Sequence, residues 1–319
     1  MNNIKTKNSN FAAFYQRFGI FAILLGVVII SSILSPVFLS FRNLSNVLRQ
    51  NAVVMIIAFG SQIVLISGEV DLSAGSVAAF AGVIAAIVMK ATGNVLLAIV
   101  SGVLCGALIG LLNGFVITSC RIPSFIMTLA TQFVARGSIL AITSAQPVTG
   151  LNRSFSVLGQ GYFGVIPISI IITLVLLTCY WLMMNRLPFG RCVYAVGGNA
   201  EASRASGINP ALTKIKAFVF AGAMAAIGGI LLMSRLNSGQ PLGAENYEFD
   251  AITAAIIGGT SMSGGVGKVY GVVVGAILVG ILLNIMTLLN VSAYSQKIVK
   301  GTIIAVAVII DMRVRNAKA

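Results

Sequence analysis

Residues 186–216 read RLPFGRCVYAVGGNAEASRASGINPALTKIK. They form the one long polar interruption in the last two thirds of a chain that is otherwise almost continuously apolar. Lipid offers no hydrogen-bond partners to exposed polar groups, so a stretch of this kind must face water. The pattern predicts membrane-spanning sequence on both sides of a water-exposed segment, and it is at that segment that a soluble partner can bind.

The composition indicates an all-α fold, a polytopic integral membrane helical bundle. Of the 319 residues, 58% are hydrophobic and 9% are charged, and the mean hydropathy is +1.01. No polar block is large enough for a soluble domain. The chain is therefore predicted to lie almost wholly in the membrane.

The residue types that most enzymes and metal sites use are scarce. The chain has no histidine, and its seven acidic residues are scattered. The four cysteines, which lack paired spacing, are Cys105, Cys120, Cys179 and Cys192. We predict no catalytic site, no metal site, no cofactor and no disulfide. The net charge of +14 is spread between the apolar runs and forms no basic patch, which argues against nucleic acid as a partner.

About ten membrane crossings are expected, because one span of the bilayer takes about 20 apolar residues. The expected spans are 18–36, 50–66, 73–90, 94–118, 124–142, 165–185, 213–233, 250–266, 269–290 and 295–311. An even number of spans after a basic N-terminus places both termini in the cytoplasm. The predicted division is a cytoplasmic tail over 1–17, a transmembrane domain over 18–311 with a cytoplasmic loop at 186–216, and a cytoplasmic tail over 312–319.

Two stretches disfavour regular helix. One is SGEVDLSAGS at 67–76, and the other is GGTSMSGGVGK at 258–268, which carries five glycines. Each is either a broken, re-entrant segment beside a transport path or a tight cytoplasmic turn. The second stretch looks like a phosphate-binding loop, but Met262 and Val269 stand where that motif needs Gly and Ser or Thr. Any ATPase must therefore be another chain.

Glycines at every fourth position predict close contacts between helices. Gly102, Gly106, Gly110 and Gly114 share one face of the expected fourth span. Gly267, Gly271 and Gly275 repeat the pattern near the start of the ninth. Small residues at this spacing let helix backbones approach each other, so a compact bundle is expected.

The polar segment 186–216 itself predicts a short surface helix. Pro188 is expected to end the sixth span, and the glycines that follow it allow a turn. Asn199 can then cap a helix through Ser206, which Gly207 terminates. Glu201 lies in its first turn, with Arg204 three residues on. This element is either an ordinary capped loop or a projection that docks into a cleft of a soluble motor.

Polar side chains inside the apolar spans are candidates for the lining of a transport path. They are Gln50, Asn51, Gln62, Asn113, Thr128, Thr131, Gln132 and Asn284. Asp71, between the second and third spans, is a further candidate because a carboxylate near a span usually faces a polar interior or water. Cross-linking of helices by amides is an equal alternative, and Asp71 equally fits the N-cap of the third span. On the outer side, the acidic segment of Glu245, Glu248 and Asp250, with Arg235 nearby, fits a solvated rim.

Blocks of sequence from residue 65 to the C-terminus resemble the permease subunits of bacterial ABC importers for ribose, xylose, arabinose, galactose and similar sugars. The blocks are LISG at 65–68 with DLS at 71–73 and GS at 75–76, GR at 190–191 with YAVGGN at 194–199, SGIN at 206–209, RL at 235–236, QP at 240–241, YEFDAI at 247–252, GGTS at 258–261 with GG at 264–265, and QKIVKG at 296–301. Glu69 and Val70 stand where the family commonly has one apolar residue.

The resemblance implies a homodimer of roughly ten-helix subunits in the bacterial inner membrane. It also implies a cytoplasmic ATPase with two fused nucleotide-binding halves, and a periplasmic or lipid-anchored sugar-binding protein. The 199–207 segment then resembles a coupling helix, formed by Asn199, Glu201, Arg204 and Gly207. The expected path includes Gln50, Asn51, Asp71, Gln132 and Asn284, and the expected docking surface includes Arg235, Glu245, Glu248 and Asp250.

Two other functions remain open from the residues. One is import of another small polar solute by the same kind of permease, such as a nucleoside, a polyol or a sugar-derived signal. The other is an ion-coupled secondary transporter or channel. The scarcity of membrane acids and the lack of histidine argue against a proton relay, and the structured 199–207 segment favours a motor partner.

Overall fold

The computed structural model describes residues 20–316, with the side chains of 307, 310, 311 and 313–316 left out. The expected N-terminal tail over 1–17 lies outside the described residues. The helices are α1 Ile20–Leu34, α2 Phe41–Ile66, α3 Ala74–Thr92, α4 Val95–Cys120, α5 Ser124–Thr143, α6 Arg153–Gln160, α7 Ile168–Asn185, α8 Pro188–Gly198, α9 Ala200–Ala205, α10 Pro210–Leu236, α11 Tyr247–Ile257, α12 Val269–Leu288 and α13 Ala293–Asn316. Two short strands, β1 Tyr162–Phe163 and β2 Ile166–Pro167, pair as an antiparallel hairpin between α6 and α7.

The prediction of an all-α polytopic bundle is confirmed. Within residues 20–316, seven helices are long and apolar enough to cross a membrane, namely α2, α3, α4, α5, α7, α10 and α12. Three of the ten expected spans differ from these. The first corresponds to the short α1, the eighth to the 11-residue α11, and the tenth to the charged α13.

Helices α2 and α10 form the centre of the bundle, with α3 beside them. Most of their residues are buried, including Ile56, Phe59 and Phe218. In contrast, α4, α5 and α7 expose large apolar side chains such as Leu104, Phe133 and Val175. A helix that is apolar on all faces but only partly buried fits a lipid-facing position.

The glycine ridge of α4 packs against α10, as its spacing predicts. A Cβ on Gly106 would lie 2.4 Å from the Gly222 carbonyl oxygen, and one on Gly110 would lie 2.2 Å from that of Phe218. The second ridge, on α12, contacts α11, where a Cβ on Gly275 would lie 2.0 Å from the Ala254 carbonyl oxygen. Both ridges serve contacts within the chain.

Both glycine-rich stretches interrupt the helices. The first runs from the end of α2 to the start of α3. Hydroxyl groups of α5 accept hydrogen bonds from its backbone N–H groups. Val70 N donates to Ser124 Oγ at 3.0 Å, and Leu72 N donates to Thr128 Oγ1 at 3.1 Å. Irregular backbone buried in this way is tolerated at membrane depth. The second stretch, at 258–268, joins α11 to α12 without helix.

Candidate functional site

The polar segment 186–216 contains one more helix than the sequence predicts. Pro188 does not simply end the preceding span, because it is the first residue of α8, where its fixed φ and missing N–H are tolerated. The expected glycine-based turn at 190–198 is therefore wrong. Gly190 lies in α8 against the backbone of Met184, where a Cβ would lie 2.2 Å from the Met184 carbonyl oxygen.

The short helix α9 forms as its capping residues predict. Asn199 Oδ1 accepts a 2.9 Å hydrogen bond from Ala202 N, and Gly207 has a left-handed φ of +83° directly after the helix. Glu201 and Arg204 form an ion pair at 3.3 Å, with side chains 81% and 66% exposed. A pair this exposed contributes little to folding, so both charges remain available to a partner.

Five glycines from three chain segments meet beside α9, and we call them the glycine junction: Gly68, Gly197, Gly198, Gly264 and Gly265. A Cβ on Gly197 would lie 1.7 Å from the Ile66 carbonyl oxygen, and Gly265 N donates to that same oxygen at 2.8 Å. Gly264, with φ of +85°, lies against the backbone of Gly68. The junction fastens α8 to the end of α2 and to the 258–268 loop.

Two side-chain contacts reinforce the junction. Tyr194 Oη donates to the Gly267 carbonyl oxygen at 2.9 Å. Burial raises the pKa of the Tyr194 hydroxyl, which therefore keeps the proton that it donates. Lys214, at the start of α10, forms an ion pair with Glu69, and both side chains are mostly buried. Contacts through α8 and α10 thus reach the same segment after α2.

Gln62 ties α2 to the 258–268 loop and to α7, one turn before the junction. Its Nε2 donates to Thr260 Oγ1 at 2.8 Å and to the Lys268 carbonyl oxygen at 3.1 Å. Its Oε1 accepts a 2.9 Å hydrogen bond from Tyr180 Oη. Gln62 is fully buried, so the network fixes the 258–268 loop against α2 and α7.

Four of the five expected path residues lie between elements of the chain. Asn284 exchanges two 2.9 Å hydrogen bonds with Asn43 and so cross-links α12 to α2. Asn51 packs against Gly280 of α12. Gln132 Nε2 donates to Glu248 Oε1 at 3.4 Å, which joins α5 to α11. The hydrogen bonds of Asn284 and Gln132 are of the kind that cross-links helices, whereas Asn51 contributes only a packing contact.

Asp71 is buried and is not the N-cap of α3. Ser73 holds that position, and Asp71 Oδ1 accepts from Ser73 N at 2.8 Å and from Ser73 Oγ at 2.6 Å. Asn113 Nδ2 in turn donates to Ser73 Oγ at 3.2 Å. The carboxylate therefore orders the turn that leads into α3 and the contact of that turn with α4.

The four expected docking residues do not share one surface. Glu248 and Asp250 are only 2% and 4% exposed. Glu248 packs against Gly75 of α3, and Asp250 Oδ2 accepts from Lys300 Nζ of α13 at 2.8 Å. Glu245 is exposed. Arg235 lines a polar cavity with Asn46, Arg49, Gln50 and Gln160, so it meets the fifth path candidate, Gln50, instead of the acidic residues.

Comparison with known proteins places this arrangement in a family. Residues 43–308 match the family described as branched-chain amino acid transport system / permease component, which covers most of the chain. The chain belongs to this permease family.

Relatives of the permease carry more specific names. It is 41% identical to the ribose import permease protein RbsC of Bacillus subtilis over 96% of both chains. It is 36% identical to the L-arabinose transport system permease protein AraH of Escherichia coli over 100% of this chain and 99% of AraH, and 34% identical to the D-allose transport system permease protein AlsC over 96% and 94%. No solved structure gives a significant match. The resemblance to ABC sugar permeases is confirmed, and the permease is a multi-pass protein of the bacterial inner membrane.

Sequence reasoning missed several residues that hold this permease together. Tyr180 and Tyr194 lie in apolar helical sequence, where an aromatic residue usually signals core packing. Lys214 could have been paired with Glu69, since an acid next to a membrane span needs a counter-charge. The sequence does not indicate which of the five basic residues in 186–216 supplies it.

Proposed function

We propose that this chain is the membrane-spanning subunit of an ATP-driven, binding-protein-dependent importer that moves a ribose-like pentose or a hexose into the cytoplasm. ATP hydrolysis resides on a separate chain. The α9 segment, with Asn199, Glu201, Arg204 and Gly207, is the coupling helix on which that ATPase acts.

One observation carries the proposal, namely that α9 is exposed on one side and rigidly connected on the other. Glu201 and Arg204 project to solvent, while the preceding helix α8 is fixed to α2 and to the 258–268 loop by the glycine junction. An ordinary surface loop needs only the capping interactions that end its helices. A segment that transmits force also needs close contacts with the parts that move. Contacts between two backbones permit little relative displacement, because neither side can rotate away as a side chain can.

In the proposed mechanism, closure of the ATPase displaces α9 and α8 together. Because Gly197 and Gly265 both contact the Ile66 carbonyl oxygen, the end of α2 and the 258–268 loop follow. Gln62 holds the same loop to α2 and α7. The displacement thus reaches the cytoplasmic ends of the central helices, where it opens or closes the exit for solute.

The substrate class follows from the relatives, whose names specify ribose, arabinose and allose. These solutes are neutral monosaccharides. The membrane potential exerts no force on a neutral solute, so it cannot by itself drive such a solute against a concentration gradient. A neutral substrate therefore fits import driven by ATP better than electrophoretic uptake.

The proposed assembly contains two copies of this chain, a cytoplasmic ATPase with two nucleotide-binding halves, and a sugar-binding protein outside the membrane. In each copy, α1–α5, α7 and α10–α13 form the ten membrane segments of the permease domain over 18–311. Both tails, 1–17 and 312–319, lie in the cytoplasm, although α13 itself continues to Asn316.

The test is purification of the tagged chain from its native cells in mild detergent, followed by mass spectrometry of the co-purifying chains. We expect a stoichiometric two-domain ATPase. The double variant Glu201→Lys/Arg204→Glu should lose the ATPase because it reverses both exposed charges. Arg153→Glu, a charge reversal at another exposed position, on α6, is the control and should retain it.

Uptake of labelled ribose, arabinose and allose by cells with and without the chain identifies the substrate. Uptake that persists when ATP is depleted but an ion gradient is maintained would contradict the proposal and indicate a secondary transporter. The same conclusion follows if the active chain consistently purifies without any ATPase.

A further inference from the structure

The polar cavity shared by α2, α6 and α10 is unusual in a chain this apolar. Its volume is about 400 Å³, and its lining residues are Asn46, Arg49, Gln50, Gln160 and Arg235. All five are amides or guanidinium groups, and none of these lining side chains is acidic or apolar. A cavity with several convergent polar groups is a candidate for ligand binding.

The cavity lies at the membrane face opposite the coupling helix. Helix α10 begins at Pro210, three residues after Gly207, and Arg235 lies in its last turn about 38 Å away at 1.5 Å per residue. Helix α2 ends at Ile66 in the glycine junction, and Arg49 lies about 25 Å back along it. Two independent helices therefore place the cavity on the side from which an imported solute arrives.

Three of the five side chains of the cavity, those of Asn46, Arg49 and Gln160, are held in place by their own contacts. Arg49 Nη2 donates to Asn46 Oδ1, and the Arg49 guanidinium lies over the ring of Tyr162 at 5.3 Å from its centroid. Gln160 Nε2 donates to the Arg235 carbonyl oxygen at 2.8 Å. A site whose groups are fixed before binding loses less entropy when a ligand arrives.

The Arg235 guanidinium is only partly accessible from the cavity. Its Nη1 is buried, and the guanidinium also interacts with the Tyr247 hydroxyl. A guanidinium carries five N–H donors, and those that line the cavity are the ones available to a ligand. The amide of Gln50, which is exposed at the same cavity, offers both a donor and an acceptor.

We propose that this cavity is an outer binding site for a monosaccharide, occupied before the solute enters the bundle. Ring and hydroxyl oxygens accept from the Arg49 and Arg235 guanidinium groups, and the amides of Asn46, Gln50 and Gln160 pair with the remaining hydroxyls. The volume of about 400 Å³ leaves room for one sugar with bound water. The proposal rests on the proposed function and adds where the permease itself recognises its solute.

The test uses the Gln50→Cys variant of the full-length chain in intact spheroplasts, labelled with a membrane-impermeant maleimide. The wild-type chain gives the background from the native cysteines. Ala91→Cys, exposed at the end of α3 and outside the cavity, is the matched control. We expect Gln50→Cys to be labelled from outside, and one of D-ribose, L-arabinose or D-allose to slow labelling several-fold without slowing that of Ala91→Cys.

A second variant separates recognition of sugar from docking of a protein. Adding Arg235→Gln to Gln50→Cys should abolish the protection by sugar, while capture of the binding protein by the Arg235→Gln permease stays unchanged. Loss of that capture would overturn the proposal and make the cavity a protein-docking surface. Absence of external labelling, or labelling that none of the three sugars slows, would also overturn it. If sugar uptake is intact in those cases, the proposed function stands and only the cavity is misassigned.

Discussion

The Gly197 backbone lies so close to that of Ile66 that a Cβ at position 197 would be 1.7 Å from the Ile66 carbonyl oxygen. The same oxygen accepts a 2.8 Å hydrogen bond from Gly265 N. One carbonyl at the end of α2 therefore contacts both the helix that leads into the coupling segment and the loop between α11 and α12. This contact gives the proposed coupling a physical route.

Gly197→Ala is expected to uncouple ATP hydrolysis from uptake. The added methyl group meets backbone, which cannot rotate away, so α8 must separate from α2. We expect uptake to fall at least about tenfold, equivalent to about 1.4 kcal/mol, while the assembled complex still hydrolyses ATP. Gly198→Ala is the control, because a Cβ there meets nothing within 4 Å. Equal uptake by the two variants would show that the close contact plays no part in transport.

Gly207→Val should also uncouple the complex, for a different reason. Gly207 has a φ of +83°, which costs an L-residue about 1–2 kcal/mol and a β-branched residue the most. The end of α9 should fray and transmit less movement. Gly207→Asn keeps access to the left-handed conformation and should retain most of the uptake. The measurement is the ratio of sugar imported to ATP hydrolysed. Normal coupling in the valine variant would contradict the assignment of α9.

Gly106→Leu is expected to reduce the yield of folded protein. Its side chain would have to enter the contact between α4 and α10, where even a Cβ would lie 2.4 Å from the Gly222 carbonyl oxygen. Overpacking typically costs about 1–3 kcal/mol, and a clash with backbone belongs at the upper end because backbone cannot rotate away. Gly137→Leu on α5, where a Cβ meets nothing within 4 Å, should fold at least as well as the wild type. The measurement is the midpoint of thermal unfolding of each variant in detergent. Equal stabilities of Gly106→Leu and Gly137→Leu would contradict the packing of the α4 glycine ridge against α10 and indicate that it faces lipid.

Lys300→Met should destabilise the attachment of α13. Asp250 is 4% exposed, and Lys300 Nζ, at 2.8 Å, is its ion-pair partner. Removing the lysine leaves an uncompensated carboxylate, which costs about 3 kcal/mol when buried. The double variant Asp250→Asn/Lys300→Met should recover part of the loss, because it also removes the stranded charge. The single variant Asp250→Asn completes the cycle. If the double variant loses as much stability as Lys300→Met and Asp250→Asn added together, the two residues act independently and the ion pair does not contribute to stability.

The α9 segment could be predicted from sequence because its determinants are local. The Asn199 side chain bonds three residues ahead, and Gly207 supplies the left-handed residue that ends the helix. Neither contact needs the rest of the chain. The glycine ridges could also be predicted from sequence, since residues spaced four apart lie on the same face of a helix.

The helix at 188–198 could not be found in the same way. Gly190, Gly197 and Gly198 lower its intrinsic helix propensity, and the sequence therefore favoured a turn. Contacts with Met184, Ile66 and Gly265 override that preference, because glycine is required at two of these positions for the backbones to approach. Tertiary contacts outweigh propensity differences of about 1 kcal/mol per residue.

The roles of the polar residues depended on which helices became neighbours. Sequence placed Gln50 in a transport path and Arg235 in a docking surface, yet both line one cavity. It placed Glu248 and Asp250 on an outer rim, yet both are buried against α3, α5 and α13. Burial of a carboxylate depends on a partner from a distant part of the chain, which local sequence cannot indicate.

The sequence by itself determined that this chain is a helical membrane protein with a capped, water-exposed segment, because lipid excludes unpaired polar backbone and caps form within a few residues. Only the tertiary structure decided what that segment is connected to and where polar groups gather. Those features arise where α2, α8 and the 258–268 loop meet, and where α2, α6 and α10 meet. Helix packing in lipid depends on the complementary shapes of the helix surfaces. Local sequence patterns do not indicate which distant segments have complementary shapes.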